Sequence, residues 1–201
     1  LQDRAGFVWV GTENGLLRYD GARFRRYDVE DGLPSTSIRC LREAPDGTLW
    51  AITTKGLARR RGSSFETISM DGENKGSDLR AMDFAPDGSL YLGSERGLFV
   101  LRRDAPTRKP EFQPVTGAPP GAVNGILAES SHALWFSCGL RLCLLQDRRL
   151  RTFTEADGLP PDRWGAVMRS PDGTLWVRGA QHLYVLLQGA QRFVPRDFGL
   201  P

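Results

Sequence analysis

The sequence predicts an all-β chain of about five tandem units, each a small sheet of four short antiparallel strands. Three observations carry that expectation. Ring residues recur in step: Trp9, Trp50, Tyr91, Trp135 and Trp176 stand 41, 41, 44 and 41 residues apart. A constant period near 40 residues marks a repeat architecture. A hexapeptide, Pro45-Asp46-Gly47-Thr48-Leu49-Trp50, returns as Pro171-Asp172-Gly173-Thr174-Leu175-Trp176 and, loosened, as Pro86-Asp87-Gly88-Ser89-Leu90-Tyr91. A glycine-leucine pair follows each ring at Gly15-Leu16, Gly56-Leu57, Gly97-Leu98 and Gly139-Leu140, with His182-Leu183 in the fifth copy.

The Asp-Gly pair in the hexapeptide is a hairpin signal. A type I′ turn is expected there, because glycine adopts φ > 0 freely and aspartate tolerates it. In the second copy the strands read 38–43, 49–53, 57–60 and 65–68, turned at Asp46-Gly47, Lys55-Gly56 and Gly62-Ser63-Ser64. The first copy reads 7–11, 16–19 and 24–27, without most of its innermost strand. Short runs broken by Gly, Asp, Asn and Ser at regular spacing mean strands, and no helical periodicity competes.

Four antiparallel strands in about 40 residues is the arithmetic of a β-propeller blade. Blades are expected at about 1–34, 35–76, 77–120, 121–160 and 161–201. Innermost strands crowd at the propeller axis and need small side chains. Cys40, Ala81, Gly125 and Ala166 supply them, each ten residues before its ring. The rings on the second strands then form the core between blades.

Junctions carry their own signature. Asp31-Gly32-Leu33-Pro34, Asp157-Gly158-Leu159-Pro160 and Phe198-Gly199-Leu200-Pro201 each follow a fourth strand. Glycine turns the chain, leucine plugs a gap and proline stops the edge strand. The junctions at 70–77 and 116–121 depart from this pattern, and the third copy has a longer outer hairpin at 103–110. The chain reads as a piece of a larger propeller, and its five blades are expected to leave the ring open.

With 201 residues and 40% apolar content the chain can bury a core. No stretch approaches the eighteen apolar residues of a membrane helix. Net charge is +3, and Lys55, Lys75 and Lys109 are the only lysines among 27 basic residues. Arg59-Arg60-Arg61 and Arg148-Arg149 raise the question of nucleic acid. The arginines are spread over turns and alternate strand positions, and 24 acidic residues offset them, so a solvated face is expected and no nucleic-acid partner.

Catalytic chemistry is hard to find. His132 and His182 lack a third metal ligand. Gly93-Ser94-Glu95-Arg96-Gly97 has the wrong spacing for a nucleophile elbow. The Asp-Gly turns lack the alternating oxygen ligands of a calcium loop. Glu30-Asp31 and Glu155 with Asp157 recur at one junction position, which argues for structure, since an active site is normally built once. No catalytic residue, cofactor or metal is therefore expected, and a binding surface remains. Arg39, Arg80 and Asn124 each stand eleven residues before a ring, with Gly165 in the fifth place. They would converge near the axis as a ligand funnel, or else satisfy backbone carbonyls of neighbouring blades. With Arg163 they are the candidate ligand-binding residues.

Three cysteines are too few for a disulfide framework. Cys40 sits in an apolar strand and reads as buried. Cys138 and Cys143 flank a short turn between two strands, where a bridge is geometrically possible.

Trp9-Val10-Gly11-Thr12, Asn14-Gly15-Leu16, Arg18-Tyr19-Asp20-Gly21 and Asp31-Gly32-Leu33-Pro34 resemble the two-component regulator propeller repeat. The resemblance runs through all five copies and is strongest in the first, second and fifth. The stretch from Trp135 through Cys138, Leu142-Cys143 and Asp157 to Trp164 is similar to the propellers of the diguanylate cyclase group. The resemblance implies the periplasmic sensor of a membrane-anchored bacterial receptor, coupled to a histidine kinase or diguanylate cyclase output domain. It implies a small-molecule or oligosaccharide ligand, and a homodimer among the partners. The oxidising compartment it implies favours a Cys138–Cys143 disulfide. The fourth copy departs, with Ser131-His132-Ala133 in place of the Asp-Gly turn. Two other readings stay open, a propeller enzyme such as a lyase or glycosidase and a dimerisation scaffold.

Overall fold

A computed structural model describes residues 1–68, 78–102 and 112–196. The junction at 70–77, the hairpin at 103–110 and the last junction, Phe198 to Pro201, lie outside the described residues. The first sheet holds β1 (Val8–Thr12), β2 (Gly15–Tyr19) and β3 (Phe24–Tyr27). The second holds β4 (Ile38–Glu43), β5 (Leu49–Thr53), β6 (Gly56–Arg61) and β7 (Ser64–Ile68). The third holds β8 (Leu79–Phe84), β9 (Leu90–Ser94), β10 (Leu98–Leu101) and β11 (Gln113–Pro114). The fourth holds β12 (Ile126–Ser130), β13 (Ala133–Cys138), β14 (Arg141–Gln146) and β15 (Arg149–Phe153). The fifth holds β16 (Ala166–Arg169), β17 (Leu175–Arg178), β18 (Leu183–Leu186) and β19 (Val194–Pro195). Every pairing is antiparallel between sequence neighbours, the pattern of propeller blades. The first blade keeps the end of an innermost strand, because Leu1 and Trp9 exchange backbone hydrogen bonds of 2.7 and 3.0 Å.

The hairpin turns differ from the expected type I′. Gly47, Gly88 and Gly173 have φ of 83°, 88° and 83°, but the aspartates before them do not have positive φ. Gly47 N–H donates to Ala44 O and Ala44 N–H to Thr48 O, at 2.9 and 2.8 Å. The turn is thus type I followed by one left-handed glycine, a three-residue hairpin loop. Proline sets this outcome in the second, third and fifth blades, where Pro45, Pro86 and Pro171 stand, since its fixed φ suits the first central position of a type I turn. The aspartate is used through its side chain: Asp46 Oδ1 accepts the Thr48 N–H at 2.9 Å, and Asp172 Oδ1 the Thr174 N–H at 3.0 Å. The two-residue turn with two positive φ values occurs instead at Asp147 and Arg148, between β14 and β15.

The first four blades each bury their ring against the next blade. Trp9 meets Phe65 edge-on at 6.5 Å between centroids, and Trp50 meets Phe84 at 5.8 Å. Trp9, Trp50, Tyr91 and Trp135 are buried, while Trp176 in the last blade is half-buried. The junctions lock the seams. Phe65 N–H donates to Asp31 O at 2.7 Å, and Phe193 N–H to Asp157 O at 2.8 Å. Leu33 and Leu159 are buried beside these bonds, in the plugging role the sequence suggests. A charged chain adds to the packing: Arg42 Nε pairs with Asp83 at 3.2 Å, and the other Asp83 oxygen accepts the Ala128 N–H at 2.9 Å. Three consecutive blades are tied by that one carboxylate.

The ends of the arc stay uncovered among the described residues. Val8 and Val10 in β1 are exposed, yet their counterparts Leu49 and Ala51, Leu90 and Leu92, Leu134 and Phe136, and Leu175 and Val177 are all buried. At the other end Met168 is exposed beside half-buried Trp176. Both end blades therefore present a bare face among the described residues.

The junction glycines give a differential test. A Cβ on Gly32 would sit 2.0 Å from Phe65 O, and its φ is 96°. Gly21 has a φ of 98° but nothing within 4 Å. Gly21→Ala should cost about 1–2 kcal/mol, the backbone penalty alone. Gly32→Ala should cost clearly more in urea unfolding, because it also pushes apart two blades; equal costs would show that the seam is not tight there.

Candidate functional site

The innermost strands place their small residues around a channel of about 640 Å³. Cys40, Ala81, Gly125 and Ala166 line it, as do Arg39, Arg80, Asn124 and Gly165. Small residues are required there, since a Cβ on Gly125 would lie 3.0 Å from the Gly165 backbone. Cys40 departs from the expectation of a buried thiol; it is half-buried on the channel wall.

The structure brings together Arg39, Arg80 and Asn124, but not Arg163. Arg163 is exposed in the loop before β16, and its N–H caps Asp162 Oδ1 at 2.6 Å. The loop direction is set by Asp162, which leaves Arg163 off the channel wall. The three converging groups are partly engaged. Arg39 Nη1 donates to Leu79 O of the next blade at 3.1 Å, the structural role allowed for in the sequence. Arg80 Nη2 donates to Glu95, and this guanidinium holds the Glu95 carboxyl below the usual range, with weaker help from Arg39. Asn124 is positioned through its backbone, whose N–H donates to buried Ser137 Oγ at 2.7 Å. The rim therefore offers guanidinium and amide donors beside one ionised carboxylate. The channel lining holds neither imidazole nor carboxylate among the described residues. The donors that are present suit hydrogen-bonded binding.

Other residues singled out in the sequence have structural roles. Asp31 Oδ2 and Asp157 Oδ2 accept the Asp28 and Thr154 N–H groups at their junctions, at 3.1 and 3.0 Å. Arg59 and Arg61 both bond Glu66 at 2.9 Å, and the Arg60 guanidinium lies 5.3 Å from the Trp9 ring centroid. His182 stacks edge-on with Tyr184. Among the described residues no group of metal-ligating side chains forms, and no helix is long and apolar enough to cross a membrane. Cys138 and Cys143 are joined by a disulfide with Cα atoms 6.0 Å apart. It runs diagonally across the β13–β14 hairpin, since Cys143 opposes Phe136 and Cys138 opposes Arg141.

Sequence reasoning passed over Asp162. Its buried carboxylate accepts N–H groups from Ala180, Gln181 and His182 at 3.1, 3.1 and 3.2 Å, besides Arg163. Burial alone would raise its pKa; the backbone donors from Gln181, Arg163, Ala180 and His182 outweigh that and leave it lowered. A Cβ on Gly179 would lie 2.1 Å from Asp162 Oδ2, so glycine is needed opposite it. The signal was the aspartate after Pro160-Pro161, read only as part of a family motif.

Two measurements check these anchors. A depressed carboxyl pKa contributes stability that is complete above its unfolded value, about 4, and is lost as pH falls through the folded value. Asp162→Asn should therefore lose about 2 kcal/mol or more at pH 7, and the gap to wild type should narrow toward pH 2. A gap constant with pH would contradict the assignment. Thiol titration of the denatured, unreduced chain should give one thiol, from Cys40, and three after reduction. Removing the bond with Cys138→Ser and Cys143→Ser should cost roughly 2 kcal/mol, a short-loop value.

Comparison with known proteins places this geometry. Residues 32–55 match the family model described as "Two component regulator propeller". No curated protein matches the chain in sequence. The extracellular domain of BT4673 from B. thetaiotaomicron, described as a one component system, superposes over 100% of this chain and 31% of its own, with TM-score 0.81 and 18% identity. The extracellular domain of BT3049 from the same organism, described as a hybrid two component system, superposes over 100% of this chain and 28% of its own, with TM-score 0.76 and 21% identity. Virginiamycin B lyase from Staphylococcus aureus superposes over 100% of this chain and 69% of its own, with TM-score 0.73 and 15% identity. The chain thus spans under a third of the length of the two extracellular domains. Residues 32–55 carry the two-component regulator propeller repeat, and the five blades together have the β-propeller fold.

Proposed function

We propose that this chain is a ligand-sensing part of the extracytoplasmic domain of a bacterial signalling receptor. The observation that carries the reading is the regulator-propeller match at residues 32–55. Its fold likeness to extracellular domains of one- and two-component systems supports it. The axial channel supplies the place: Arg39, Arg80 and Asn124 give a polar, net cationic rim suited to a hydroxyl-rich or acidic small molecule such as an oligosaccharide. In the parent protein the output is a histidine kinase or diguanylate cyclase, and a membrane anchor joins the two. Periplasmic location accords with the Cys138–Cys143 disulfide.

The lyase neighbours favour one second reading, a propeller enzyme. The channel's described lining speaks for binding, because it lacks an acid-base pair.

Calorimetric titration with a panel of neutral and acidic oligosaccharides separates these readings. At least one should bind without being consumed, and Arg39→Ala or Arg80→Ala should each weaken it roughly tenfold, the loss of one charged hydrogen bond. Binding indifferent to both substitutions would remove the channel from the account. Cleavage of the sugar would turn it toward the enzyme.

A further inference from the structure

One seam between blades lacks a part that the other described seams possess. In the second blade Phe65 opposes Arg60, ten residues after its ring, and points into the seam with the first blade. There it packs between Trp9 and Tyr27, at centroid distances of 6.5 and 5.5 Å. Phe193 does the same in the fifth blade, 5.5 Å from Phe153 of the fourth. Phe112, beside Gln113 in the third blade, packs into the core it shares with the second. At this position the fourth blade has Leu150, opposite Leu145 in the same register. Leu150 is 41% exposed, against 6% for Phe65 and 3% for Phe193. Among the described residues it also makes no counterpart of the bonds from Phe65 N–H and Phe193 N–H to their junctions.

A cavity of about 430 Å³ opens in this seam, with Leu145, the cross-strand partner of Leu150, on its wall. Tyr91 and Val115 line it at the positions that Trp9 and Tyr27 hold around Phe65, and Leu134 and Leu145 complete the apolar floor. Benzene fills an apolar cavity of about 150 Å³, so a ring fits here with room for a polar substituent. Arg102 of the third blade and Arg148 of the fourth stand at the wall. Among the described residues the Tyr91 hydroxyl is held only by a 3.5 Å contact to Ser131 O. Burial, with Asp87 adding to it, raises the Tyr91 pKa and keeps the phenol a neutral donor. Asp87 is the acidic wall, and its repulsion disfavours a second negative charge on an occupant. Residues 103–111, between Arg102 and Phe112 in the sequence, include no aromatic.

We propose that the seam between the third and fourth blades binds a small aromatic monocarboxylate. Its ring takes the place of the absent phenylalanine, and its carboxylate meets Arg102, Arg148 and the Tyr91 hydroxyl. The site is separate from the axial channel and stands whether or not the channel binds a sugar.

Phenylacetate is the probe, titrated into the 15N-labelled chain. Saturable shifts should centre on Tyr91, Val115, Leu134 and Leu145, and neutral phenylacetamide should bind roughly tenfold more weakly or worse, having lost the charge-assisted hydrogen bonds. Leu150→Phe should raise the melting temperature and abolish binding, because it restores the plug. Arg102→Ala with Arg148→Ala, both on exposed side chains, should leave the fold intact and erase the preference for acid over amide. No saturable shift at the solubility limit would overturn the proposal. So would unchanged affinity in folded Leu150→Phe, or an undiminished acid preference in the double variant. Shifts confined to the axial channel would overturn it as well.

Discussion

The structure depends on how one blade is seated on the next. A single four-stranded sheet of this size cannot bury both its faces, so each blade is stable only in contact with neighbours. At the first and fourth junctions, between the first and second blades and between the fourth and fifth, that contact is fixed at one point. The outer-strand phenylalanine donates its N–H to a junction carbonyl, as Phe65 does to Asp31 and Phe193 to Asp157. Its ring then fills the space beside the ring residue of the preceding blade. The junction glycine is what lets the backbones meet, because a Cβ on Gly32 or Gly158 would lie 2.0 or 2.3 Å from the phenylalanine oxygen. Strand pairing makes each blade; this contact makes the arc.

Function then falls where the repeat is least uniform. At the axis the repeat demands small side chains, and their smallness leaves a channel. The positions next to them are free to vary, and arginine, arginine, asparagine and glycine occupy them in turn. At the seams the repeat demands an aromatic plug, and among the described residues the third seam has none. Both cavities arise from the same cause, a repeated backbone whose side chains fail to fill every equivalent space. The third junction and the turn before β13 also depart from the pattern, and both border the unplugged seam.

Much of this was legible in the sequence. Period is a direct geometric signal, so the rings, the strand order and the small axial residues could be placed from spacing alone. Convergence of Arg39, Arg80 and Asn124 followed from the same arithmetic. The turn type was misread because the Asp-Gly pair was weighed without the proline before it. Arg163 was placed by its neighbourhood in a motif, and the backbone capping by Asp162 that turns it away has no spacing signature. The acceptor for the indole N–H was readable but unread: Asp3, Glu129 and Ser170 each stand six residues before Trp9, Trp135 and Trp176 and accept at 2.7, 3.0 and 3.1 Å. Leu150 likewise stands fifteen residues after its ring, where Phe24 and Phe65 stand in the first two blades.

Amide hydrogen exchange, resolved residue by residue, tests the seating contact most directly. Phe65 and Phe193 N–H point away from their own blades to a junction carbonyl, so their protection reports the seam rather than the sheet. The account predicts slow exchange at both and fast exchange at Leu150, which makes no junction bond among the described residues. Equal protection at all three positions, or fast exchange at Phe65 and Phe193, would contradict it.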